Sequence, residues 1–139
     1  MLPQHHFLIS ALVLTPVALV FYPELTLIGV GPWILYGGLL SAAVDIDVVA
    51  LTFLKSKGDD RLKRFRNPLE INRNFKLFMD TLFETGLLRI AIKTHFILSA
   101  FIILIFYLSS SQYFIPVLLG VASHLASDIP NIQRVLNKK

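Results

Sequence analysis

From Leu25 to Leu54 the chain runs for thirty residues whose only charges are Asp45 and Asp47. A stretch so long and apolar is sufficient for a membrane-spanning helix, because a bilayer core of about 30 Å requires roughly 20 residues. Ionisable groups in such a stretch are costly in hydrocarbon, so they face a protein interior and usually carry function. The acidic pair therefore constrains fold and function together.

Three further apolar runs accompany it. Phe7 to Tyr22 ends at Pro23-Glu24, a third run reaches Leu108, and a fourth extends from Tyr113 to Ile129. With 55% hydrophobic residues and a mean hydropathy of +0.67, the composition lies outside that of ordinary soluble domains. The expected fold is all-α, a single membrane domain over 1–139 with four transmembrane helices at about 7–22, 32–54, 90–108 and 113–129. Pro16 should kink the first helix, and Pro32 should stand in the first turn of the second. Trp33 and Tyr36 suit an interface, while Gly37, Gly38, Ser41 and Ala42 offer small residues for close helix packing. Met1 to His6 has no Lys or Arg, and Leu25 follows no small-x-small cleavage site, so the first run reads as a retained helix.

The central segment 55–89 is different in kind. Lys55, Lys57, Arg61, Lys63, Arg64 and Arg66 mark a basic loop suited to anionic lipid rather than nucleic acid. Asn67, Pro68 and Glu70 then form a helix-start signal, and Gly86 a stop. Between them Ile71, Phe75, Phe78 and Leu82 recur at helical spacing, which predicts an amphipathic helix on the membrane surface or against the bundle.

Every Lys and Arg lies either in 55–93 or in 134–139. By the positive-inside rule both segments are expected to be cytoplasmic, and four spans then place both termini there too. On that topology His6, Asp45, Asp47, His95, His124 and Asp128 all come to one side of the membrane. His124 and Asp128 are four residues apart, one above the other on a helix face. Helical bundles build metal sites in this way, from inward carboxylates and histidines. Cys is absent, so His and Asp are the strong ligands present. The mixture suits a divalent metal, zinc first, with manganese and iron as alternatives. Asp45 and Asp47, at i and i+2, cannot share one face of a regular helix. Either the helix breaks there, or one carboxylate is a ligand and the other an orienting or base residue.

The order His6-Phe-Leu-Ile-Ser, Asp45-Ile-Asp47, Thr94-His95 and Gly120-x-x-Ser-His124-x-x-x-Asp128 resembles the YdjM-type family of predicted inner-membrane metal-dependent hydrolases. The resemblance covers nearly the whole chain and implies a compact multi-pass bundle with hydrolase activity. Val44 and Val48 stand where the family has Pro and His, Ile90-Ala-Ile92 where it has His-Arg-Gly, and Phe96 where it has Ser.

The expected activity is hydrolysis at the cytoplasmic interface of the cell inner membrane. Its nucleophile would be a metal-activated water, with Asp45 or Asp47 as general base. The expected substrate is a phosphoester on a lipid or lipid-linked molecule, with Lys93, Thr94, Arg89 and the basic loop near the phosphate. Two rivals stand beside this reading: a non-catalytic, metal-stabilised membrane scaffold or binding protein, and a small ion or proton carrier. Oligomeric state is not legible.

Overall fold

The computed structural model describes residues 3–109 and 112–137, and among them every regular element is helical. In chain order they are α1 (Pro3–Phe21), α2 (Leu27–Ala43), α3 (Ile46–Lys55), α4 (Asp60–Lys63), α5 (Pro68–Arg73), α6 (Phe75–Glu84), α7 (Leu87–Leu108), α8 (Phe114–Ser127) and α9 (Ile129–Leu136). A 3-10 turn, Arg64–Arg66, follows α4. Residues 1, 2, 138 and 139, which bear on the expected placement of the termini, lie outside the described residues, as do 110 and 111 of the uncharged loop.

Three stretches are long and apolar enough to cross a membrane: Pro3–Phe21, Ile28–Lys55 and Leu87–Leu108. Their outward residues are correspondingly apolar, with Leu12 at 75% exposure, Ile97 at 70% and Phe101 at 58%. Inward residues follow four-residue steps. On α1 they are His6, Ser10, Leu14 and Ala18, and on α7 they include Leu87, Ala91, His95 and Ser99. A step of four returns nearly to the same side of a helix, so each buried stripe carries its histidine in line with its packing residues.

The fourth run is helical over nearly the expected 113–129. α8 has 14 residues, about 21 Å at the helical rise, shorter than the three stretches above. It packs against both α1 and α2. Close approach is possible because Gly37 and Gly120 meet backbone to backbone. A Cβ built on Gly120 would stand 2.9 Å from the Gly37 Cα and closer still to its carbonyl. The hydroxyl of Ser10 adds a polar link to α8, 2.9 Å from the Ser123 Oγ.

Other boundaries depart from the sequence reading. The first helix begins at Pro3 rather than near Phe7, which takes His6 into the bundle. The second begins at Leu27, capped by the Thr26 side chain, so Pro32 lies inside the helix instead of in its first turn. It is interrupted between Ala43 and Ile46, the break at the acidic pair that the i, i+2 spacing left as one alternative, so 32–54 is two helices. The basic loop carries α4 and the 3-10 turn. Asp59 caps α4 by accepting from the Arg61 N–H, and the Arg61 guanidinium bonded to it holds this carboxyl below its usual range. The helix expected over 68–86 starts as predicted, with Asn67 accepting from Leu69 N–H and Pro68 in the first turn, and Gly86 follows it at φ 74°. It breaks at Asn74, whose backbone (φ −124°, ψ 42°) is not helical. The expected tail after Pro130 is helical as far as Leu136.

The breaks make a separate packing unit. Leu62, Phe65, Ile71, Phe78, Leu82, Leu87 and Leu88 form one apolar core, which joins the 60–84 segment to α3 and the start of α7. Ala18, Val30 and Trp33 form another at the opposite ends of α1 and α2. The polar residues lie between these two cores, at the level where α1 begins, α2 ends and α8 ends.

Candidate metal centre

His6, Asp45, and the pair His124 and Asp128 come from three places in the chain and meet at this level. Each offers one ligand-type atom, and these atoms all lie within 4.8 Å of one another, so the cluster can hold a metal ion. His6 and His124 are fully buried and Asp128 nearly so. The His6 and His124 rings lie 3.9 Å apart between centroids, tilted by 35°. The break after Ala43 is what turns the Asp45 side chain to this group: His6 Nε2 lies 3.7 Å from Asp45 Oδ2, and His124 Nε2 lies 3.9 Å from Asp45 Oδ1 and 3.5 Å from Asp128 Oδ2.

These distances exceed those of hydrogen bonds. His6 Nε2, Asp45 Oδ2 and both ring nitrogens of His124 have no hydrogen-bond partner while buried. Buried polar atoms without partners are costly, yet here several converge on one point. A cation placed among His6 Nε2, Asp45 Oδ2 and His124 Nε2 satisfies these three together, and the donor set of two imidazoles and two carboxylates suits a borderline divalent metal.

Hydrogen bonds fix which ring atoms face the cluster. Ser127 Oγ donates to the His124 carbonyl at 2.7 Å and lies 2.9 Å from His6 Nδ1. A hydroxyl has one hydrogen, so Ser127 accepts from His6 Nδ1–H, and the lone pair of that ring is on Nε2, toward the cluster. Asn131 Nδ2 donates to Asp128 Oδ1 at 2.9 Å, leaving Oδ2 on the side of His124.

His95 and Asp47 form the next layer. The Asp47 carboxylate lies 2.8 Å from His95 Nδ1 and also accepts from the Thr94 hydroxyl. Nδ1 therefore donates, and Nε2 lies 3.4 Å from Asp45 Oδ1 and 3.8 Å from Asp128 Oδ2. A carboxylate on the far nitrogen of a histidine is the usual way of orienting a metal-ligating imidazole. The two acids thus part company: Asp45 belongs to the converging group, and Asp47 holds His95.

No family model, curated protein or solved structure matches this chain. The functional reading consequently rests on the motifs and on this geometry.

The remaining candidate residues are not all gathered in. Lys93 is exposed, being two positions and hence about 200° around α7 from His95, at 100° per residue. Arg89 is exposed as well. Thr94 reaches the group only through Asp47. Beside the cluster lies a cavity of about 350 Å³ to which Asp45, His95 and Asp128 contribute, and among the described residues neither Lys nor Arg lines it. The supporting roles of Ser127 and Asn131 were not read from the sequence. Asn131 stands three residues beyond Asp128 and Ser127 three beyond His124, a helical spacing that marks both.

Proposed function

We propose that the protein is a membrane-embedded, metal-dependent hydrolase acting on a phosphoester of a lipid or lipid-linked molecule, in the cell inner membrane with the cluster toward the cytoplasm. One observation carries this reading: ring nitrogens of His6, His124 and His95 and carboxylate oxygens of Asp45 and Asp128 converge across 3.4–3.9 Å, an arrangement that suits a cation. Zinc fits this donor set first, manganese and iron next.

His6, Asp45, His124 and Asp128 would hold the ion, with His95 completing the set or standing beside it. A divalent cation supplies Lewis acidity toward a phosphoryl oxygen and makes water a competent nucleophile at neutral pH. With two carboxylates in the cluster, Asp47 close behind, and neither Lys nor Arg among the described residues lining the cavity, a phosphate group depends on that charge for its binding. Asp47 holds the His95 proton at Nδ1, so His95 Nε2 can accept a proton at the reacting side; Asp47 acts through it rather than on water directly. Hydrolysis adds the elements of water across the phosphorus–oxygen bond, giving an alcohol and a phosphate.

A scaffold reading is favoured by Ile90-Ala-Ile92, which stand where the resembling family has His-Arg-Gly, and by the outward direction of Lys93. The two readings separate in one assay. Purified chain loaded with zinc, manganese or iron is offered a lipid phosphoester; phosphate release that disappears in Asp45→Asn supports the hydrolase. Retained metal with no release under any of the three supports the scaffold.

A further inference from the structure

The cavity beside the cluster is far more apolar than a small polar ester requires. Its walls include Val48 of α3, Ile71 of α5, Phe75, Phe78 and Met79 of α6, and Ala91 of α7, while Asp45, His95 and Asp128 supply polar atoms to the same space. Val48, Ile71, Phe75, Phe78, Met79 and Ala91 carry no hydrogen-bonding side-chain group apart from the weak thioether acceptor of Met79. Gln4, Asn72 and Asn131 add three amides to the lining, fewer groups than the backbone of an extended peptide strand would need. Hydrocarbon needs no partners and gains from leaving water. Leu69, which also lines the space, is 63% exposed, so the cavity opens to the outside along α5.

We propose that this cavity takes up a single apolar chain of an amphiphilic phosphoester, drawing it out of the bilayer while the phosphate end sits at Asp45, His95 and Asp128. The phosphoester part rests on the hydrolase reading; the chain site rests on the walls. It makes the 60–84 segment a substrate-binding element rather than a surface anchor.

The test uses the full chain in phosphatidylcholine nanodiscs with hexadecyl phosphate bearing a diazirine at the chain end. After photolysis, peptide mass spectrometry locates the label. Labelling of Phe75, Met79 or Val48 that is competed away by unmodified hexadecyl phosphate, and lost in Met79→Trp, supports the proposal. Ile97 and Phe101, which face outward on α7, report ordinary bilayer contact and stay labelled throughout. Label confined to Ile97 and Phe101, or cavity label that the unmodified compound does not displace, overturns it. The wild-type map and its competition decide the matter even where Met79→Trp fails to fold. Phosphate release without cavity label rejects the chain site alone. Competed cavity label, kept in Asp45→Asn, with no release from wild type, rejects the hydrolase alone.

Discussion

The Asp47 carboxylate lies 2.8 Å from Nδ1 of His95, and so points Nε2 of that ring at Asp45, 3.4 Å away. Two acids separated by a single residue therefore serve different purposes, one among the converging atoms and one behind a histidine.

Substitution separates them. Asp45→Asn removes a charge from the metal-competent group and is expected to abolish stable metal binding. Asp47→Asn leaves that group intact and loosens only His95, so binding persists with affinity lowered about 10- to 100-fold. Competition against a chelator of known affinity measures both. Equal effects of the two changes would contradict the division of roles.

Helix contact at Gly120 is expected to be intolerant. A methyl there meets the Gly37 backbone, so Gly120→Ala should cost about 1–3 kcal/mol by overpacking and shift His124 with α8. Gly31 is the control, because a Cβ on it meets nothing within 4 Å. In a helix interior Gly31→Ala should be neutral or stabilising by up to about 1 kcal/mol. Thermal unfolding in detergent reads both.

Much of the fold was legible because its signals are local. Apolar length announced the spanning helices, and Asn67-Pro68 and Gly86 bracket the central helical segment through their backbone preferences. What escaped depends on contacts distant in sequence. The i, i+2 spacing of Asp45 and Asp47 left a helix break as one of two alternatives; the choice is made where Asp45 turns to His6 and His124 while Asp47 turns to His95. The helices of the basic segment are held by Leu62 and Phe65 against α3 and α7, which no local window contains. Lys93 beside Thr94-His95 suggested a phosphate partner, but the helical angle carries it outward.

Metal also bears on stability. Ligands gathered only in the folded state link binding to folding, by about 2.7 kcal/mol when free metal is a hundred times the dissociation constant. Chelation should lower the unfolding temperature of the wild type and leave that of His124→Ala unchanged. A chelator shift of the same size in both proteins would place the stabilising ion elsewhere.

Arg134 ties α9 to α6. Its guanidinium lies 2.8 Å from Asp80 and 4.4 Å from the centre of the Phe83 ring, in a setting where both charged groups are partly exposed. Exposed ion pairs contribute about 0–1 kcal/mol, so Arg134→Ala should speed hydrogen exchange in α9 while changing global stability little. Loss of metal binding in that variant would show that α9 supports the cluster more strongly than its contacts imply.

The most direct measurement is metal content by elemental mass spectrometry, on full chain purified without chelator, beside His124→Ala and Asp45→Asn. A stoichiometric divalent metal, zinc first, is expected in the wild type, with its loss from both variants while helical content is retained. A folded wild-type protein that binds no divalent metal, even when zinc, manganese and iron are supplied, would contradict it.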